Sequence, residues 1–174
     1  YYNKEYSLKK LTTEEYVRDP RFEVLGVAIK VNNGETEWAS GTQEQLKTFL
    51  QTFDWDRSMV LAHNTMFDGA ILSWIFDIKP RAYTDTVCIA RAVDGVETSV
   101  SLKALSQKYR IGEKGDEIQN TLDKHRQDFT DEELERLGDY AVNDVDLTYE
   151  LFTIMAKDFP MKELKLIDVS LRMF

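Results

Sequence analysis

The chain has 174 residues, 43% of them apolar, with three Trp and few Gly or Pro, which excludes a disordered or linker-dominated protein and fits one domain with a real core. Its formal charge of −9 excludes a free-standing duplex binder, which needs a basic stripe; it suits a soluble surface, a metal site that meets only a few nucleotides, or a module that relies on a neighbouring domain to grip nucleic acid. The lone Cys88 excludes an internal disulfide and a cysteine-based zinc site and suits a reducing compartment, and no signal peptide or membrane-spanning apolar run is present.

Residues 1–21 are polar and rich in tyrosine, and Thr12, Thr13, Glu14 and Glu15 predict a short capped helix. Residues 22–31 are β-branched and nearly continuous in apolar side chains, which predicts a buried strand. Asn32-Asn33-Gly34 is a hairpin turn, so residues 36–39 should return antiparallel. Thr42 caps a helix through residue 53, with Leu46, Phe49 and Leu50 on one face. A strand at 59–62 flows into a helix at 66–76, and a short strand at 82–86 leads into helical segments at 87–92 and 101–109. Residues 112–125 are charged and carry two glycines, as a loop would. Thr130 and Glu133 form a capping box, helix resumes from 138 to 157, and after Pro160 a last amphipathic helix covers 161–174. A hairpin followed by strands alternating with helices gives an α/β domain with a mixed sheet.

Two acidic signatures carry chemistry. In Tyr140-Ala141-Val142-Asn143-Asp144 the phenol and the carboxylate lie one turn apart on a helix and point off one face. Asp has poor helix propensity, and Asp144 lies among apolar neighbours, where an unpaired carboxylate is costly. A bound cation answers that cost; so would a surface Lys or Arg. Asp146 reads as a solvent-facing neighbour. The second signature is His63-Asn64-Thr65-Met66-Phe67-Asp68, at a strand-to-helix corner, where sites gather in open α/β sheets. Asp68 falls in the first helical turn, with Asn64 as the cap in the alternative, purely structural reading. Asp85, at the end of a strand, is either a group supporting a site from behind or the cap of the next helix. His63 fits a hydrogen-bonded role better than metal ligation, and His125 reads as exposed. Trp55, Trp74 and Phe67 could stack on bases but suit a core equally.

The three motifs His63 to Asp68, Tyr83-Thr84-Asp85-Thr86 and Tyr140 to Asp144, in this order and with these separations, resemble the DEDD superfamily of 3′–5′ exonucleases. The tyrosine points to its DEDDy branch, and the closer likeness is to the proofreading exonuclease domain of phage and bacterial family-A DNA polymerases. Residues 5–8, 12–16 and 19–24 look similar to phage polymerases, and residues 164–174 resemble the connection from exonuclease to thumb. The resemblance implies an RNase H-like mixed sheet flanked by helices, with an exonuclease domain over 1–160 and the start of the helical connection over 161–174. It implies two divalent cations, Mg2+ or Mn2+, that bracket the scissile phosphate. Asp144 would then ligate one ion, Asp68 would support the other, and Tyr140 would orient the attacking water. Asn64, Phe67 and His63 would shape the substrate corner, with Asp85 behind them. The implied partners are a single-stranded DNA 3′ end and a polymerase region of the same polypeptide or complex, with no membrane, in the cytoplasm of a bacterial or phage-infected cell.

One departure is large. The family's Asp-x-Glu motif, on its first strand, supplies ligands to both ions, and no such motif occurs in residues 1–21; Asp19 and Glu23 have the wrong spacing. The sequence is then expected to be a fragment lacking that first strand, weakly active or inactive by itself. The alternatives are a catalytically degenerate relic acting as a structural or strand-binding module, or an RNase D-like exonuclease acting on RNA.

Overall fold

The structure is a computed structural model and describes residues 3–115 and 121–173. Part of the expected 112–125 loop, and the end of the expected last helix at Phe174, lie outside the described residues.

Local chemistry starts three helices in the same way. In α1 (Thr13–Arg18), α2 (Gln43–Leu50) and α6 (Asp131–Met155), a threonine hydroxyl accepts from the backbone N–H three residues on. The Glu or Gln at that position accepts in return from the threonine N–H. Helix α3 (Thr65–Trp74), α4 (Thr86–Asp94), α5 (Leu102–Tyr109) and α7 (Met161–Leu171) complete the set. Helix α6 runs through Gly138 without the break expected before it. The glycine is there for close approach, because a Cβ at Gly138 would stand 2.6 Å from the Trp38 ring.

Strands β1 (Gly26–Lys30) and β2 (Thr36–Ser40) form the expected antiparallel hairpin, with Val27 opposite Ala39 and Asn32 turning at φ 52°. Strand β1 is shorter than the apolar run 22–31. The chain before it bonds sideways: the Leu25 carbonyl accepts from Ser40 Oγ and Arg126, and the Glu23 carboxylate accepts from Arg126 N. Strands β3 (Met59–Ala62) and β4 (Ala82–Asp85) pair in parallel.

The fold is a mixed α/β architecture of the RNase H-like kind, with its antiparallel and parallel parts as two separate two-stranded sheets. Common layers hold the two sheets together. On one face, Val27 and Ile29 of β1, Ala39 of β2 and Val60 of β3 reach the same apolar cluster, formed by Leu46 and Leu50 of α2 with Leu72, Phe76 and Ile78. On the other face α6 crosses β1, β2 and β3. Strand alternation explains the split, since Lys30 and Thr36 point the opposite way from Val27 and Ala39 and meet α6. There Asp146 accepts from Thr36 Oγ1 and from Lys30 Nζ at 3.0 Å. Asp146 faces solvent in part, as expected, and it also ties α6 to the hairpin, because polar groups of the two elements satisfy one another at that contact.

A second cluster joins Ile89 and Ala90 of α4, Leu102 and Leu105 of α5 and Leu147, Leu151 and Met155 of α6. Helix α7 closes the outer edge of β4, where Asp168 accepts from Tyr83 N at 2.8 Å and the Arg172 guanidinium lies 5.5 Å from the Tyr83 ring centre.

Candidate active site

The corner after β3 is built around Asp85. This buried carboxylate accepts from Val87 N at 2.7 Å, so it caps α4, and also from Asn64 N at 3.2 Å and Thr65 N at 3.0 Å, so it serves the start of α3 as well. Asn64 therefore does not cap α3 with its side chain. It sits left-handed at φ 75°, a conformation Asn tolerates better than most residues, and that twist lets its N–H and the next one face Asp85. Thr65 adds a hydroxyl donated to the Thr84 carbonyl at 2.6 Å, which locks the ends of β3 and β4 together.

On this frame Asn64 and Asp68 lie one turn apart on the exposed side of α3. Asp68 is open to solvent yet surrounded by protein. Loss of hydration among the surrounding protein atoms, with the Asp85 charge adding to it, pushes its carboxyl up to about 7. His63 places Nδ1 2.8 Å from Thr86 Oγ1. Burial holds its pKa below the ordinary histidine value, against the opposing pull of Asp85 and Asp144. Phe67 turns inward, 6.1 Å from the Tyr16 ring, in a cluster with Tyr6, Tyr16 and Val17. Trp74 packs against the same cluster under Arg18, and the Trp55 indole donates to the Leu50 carbonyl at 2.7 Å. The three aromatics weighed as base-stacking groups are thus part of the packing.

The α6 side carries the pair read from the sequence. Tyr140 is buried, and Asp144 follows one turn later on the face that continues into Leu147 and Leu151. A residue that the sequence reading did not single out joins them. Lys114 donates its ammonium to Asp144 Oδ2 and stands 4.6 Å over the Tyr140 ring centre. Burial by itself would lower the Lys114 pKa, but its hydrogen bonds to Asp144 and Tyr140 outweigh burial and leave it raised. The Tyr140 hydroxyl is raised as well, first by burial and then by the Asp144 charge, against the opposing Lys114 contact. The remaining carboxylate oxygen, Asp144 Oδ1, is buried without a hydrogen-bond partner.

Lys114 reaches the site from the irregular stretch after α5. That stretch is clipped to α6 by Asn143 Nδ2, which donates to the Glu113 carbonyl at 3.0 Å. Together the two segments line a shallow cleft of about 300 Å3 that includes Tyr140, Asn143 and Arg136. Nothing in the hydrophobic pattern links positions 114 and 144. The available signal was a lysine between Gly112 and Gly115 in a stretch otherwise rich in acids.

His63 lies between the two halves, since its ring feels the charges of Asp85, Lys114 and Asp144. Among the described residues no three of His, Cys, Asp and Glu form a cluster able to hold a metal ion, so Asp68 and Asp144 are not by themselves a closed cage. The donors fit a hard divalent cation nonetheless. Mg2+ is commonly held by one or two carboxylates with water and substrate phosphate completing its shell, and Asp144 offers an orphaned oxygen beside a carboxylate oxygen already bound to a cation.

The family model for the 3′-5′ exonuclease domain of family-A DNA polymerases matches residues 8–160. No curated protein and no solved structure matches the chain. No helix among the described residues is long and apolar enough to cross a membrane.

Proposed function

From its membership of the 3′-5′ exonuclease family, to which this chain belongs, we propose that it is the proofreading part of a DNA polymerase and removes nucleoside monophosphates from the 3′ end of single-stranded DNA. The observation that carries this reading is the meeting of a buried phenol, a carboxylate with an orphaned oxygen and a cation on one face of α6. Asp144 would hold one divalent ion and Asp68 would support a second. Bound there, the ions would supply an activated water and charge neutralisation at the leaving oxygen. Tyr140 would orient the nucleophilic water through its hydroxyl, whose pKa burial raises further above the ordinary phenol value. Asn64 and Asp68, on the open side of the corner, would face the terminal nucleotide. His63 would back the corner as a neutral ring held by Thr86, and Asp85 would hold the corner's shape from behind. The segment 161–174 would begin the connection to the polymerase region.

The three motifs hold two of the four carboxylates expected of such a site, and among the described residues no three His, Cys, Asp or Glu side chains gather to hold a metal ion. Weak turnover by this chain alone follows. The test is release of mononucleotides from a 3′-labelled single strand in Mg2+ or Mn2+. Slow cleavage that Asp144→Asn abolishes supports the reading. Tyr140→Phe should retain the fold and lose on the order of 10- to 100-fold in rate, the value of one hydrogen bond to a charged or charging group. Cleavage indifferent to both substitutions would overturn it, and equal cleavage of an RNA strand would move the substrate to RNA.

A further inference from the structure

In the arrangement described, Asp144 has no carboxylate oxygen that is both open to solvent and free of a partner. One oxygen, Oδ1, is shut away from solvent, and the other, Oδ2, is engaged by the Lys114 ammonium. About three quarters of each side chain in this pair is covered, with 23% of Lys114 and 24% of Asp144 exposed. A contact so covered is screened far less than a surface pair. The ammonium also stands 4.6 Å over the Tyr140 ring centre, so one cation touches both groups of the pair. From these contacts we infer that Lys114 is a positioning residue that acts as an internal counter-cation: it holds Asp144 and Tyr140 in register while the site is empty of metal, and a divalent ion enters by displacing it. The inference rests on the reading of Asp144 as a metal ligand.

The local build suits a part that swings. Lys114 lies two residues after Gly112, whose φ of 143° is one that other side chains rarely adopt, and one residue before Gly115. Besides the Lys114 contact, the segment is clipped to α6 by the Asn143 to Glu113 hydrogen bond, one residue before Asp144. Displacing the ammonium therefore breaks an ion pair and a ring contact while leaving that clip and the helix intact. The freed Lys114 stays beside the site, with a charge suited to a phosphate oxygen of the strand end.

Three forms of the polypeptide and a fourth control decide the matter: wild type, Lys114→Ala, Lys114→Arg and Asp144→Asn. Free Mn2+ is followed by electron paramagnetic resonance during titration. Lys114→Ala should bind Mn2+ about tenfold more tightly than wild type, because no ammonium must leave, and Lys114→Arg should return the affinity toward wild type. A second readout uses the unaltered chain, with acetylation of Lys114 by acetic anhydride followed by mass spectrometry. Acetylation should be slow in wild type and should speed up on adding Mn2+ and in Asp144→Asn. Equal or weaker Mn2+ binding by Lys114→Ala, or an acetylation rate indifferent to Mn2+, overturns the inference while leaving the metal site standing. Mn2+ binding that Asp144→Asn does not change overturns the metal site itself, and the inference with it.

Discussion

Asp85 and Asp144 are both carboxylates largely withdrawn from water, and they are satisfied in opposite ways. Asp85 accepts from three backbone N–H groups that belong to two helix starts. Those donors cannot leave without unwinding a helix. Asp144 has one side-chain cation on one oxygen and nothing on the other. A carboxylate bound by fixed donors is architecture; one bound by a replaceable donor, with capacity to spare, is equipped for chemistry. Asp146, on the same helix, stands between them, tied to a hydroxyl and a lysine of the hairpin.

The largest expected effect that tests this contrast is on stability. Asp85→Ala leaves three N–H groups without an acceptor at a buried corner, and should cost about 3 kcal/mol, read as a drop in the urea midpoint. Asp146→Ala should cost about 1 kcal/mol, because its side chain is 44% exposed and water can take over from Lys30 and Thr36. Asp144→Asn should change stability least, by under about 1 kcal/mol, since the amide keeps an acceptor for Lys114. It should nevertheless cost Mn2+ affinity more than the roughly 10- to 100-fold typical of losing an outer partner of a metal ligand. Reversal of the order, with Asp144→Asn the most destabilising of the three, would break the distinction between fixed and replaceable donors.

The sequence made one side of this contrast legible and hid the other. The Tyr140 to Asp144 spacing placed both groups on a buried face because helical periodicity is local, and the threonine caps of α1, α2 and α6 were readable for the same reason. The hairpin and the parallel pair followed from turn chemistry and alternation. What stayed hidden was every contact closed across the fold. Lys114 meets Asp144 over a separation of 30 residues, and Lys30 meets Asp146 over 116. Asp85 could be read as the cap of the helix that follows it, but its service to Asn64 and Thr65 depends on β4 lying beside β3 in a particular register. Phe67 looked like part of a nucleotide corner because it sits in the motif, and the aromatic cluster that draws it inward comes from residues some fifty positions earlier. Motifs report which residues are near in the chain; which donor answers a buried acid is decided by packing.

The smallest expected effect is the dependence of stability on pH, and it separates Asp68 from His63 on the two sides of the same corner. Asp68 is raised to about 7 in the folded chain, above the ordinary 3.8. Between those values the folded state keeps a proton that the unfolded chain has released, so stability is lost as pH rises through that window and the loss is complete above about 7. His63 is lowered from 6.5. The unfolded chain takes up a proton first as pH falls, so the stability that the neutral ring contributes is present above 6.5 and is lost on acidification. The two groups therefore tilt the curve in opposite directions. The Asp68 tilt should be under about 1 kcal/mol, because the residue is open to solvent and screened. Urea unfolding at about pH 5 and about pH 8 reads the signs. Asp68→Asn should gain on wild type as pH rises, and His63→Gln should gain as pH falls. If Asp68→Asn gains nothing between the two, Asp68 titrates as an ordinary surface acid. The corner would then offer a carboxylate already ionised at neutral pH, and ion binding there would need no proton to leave.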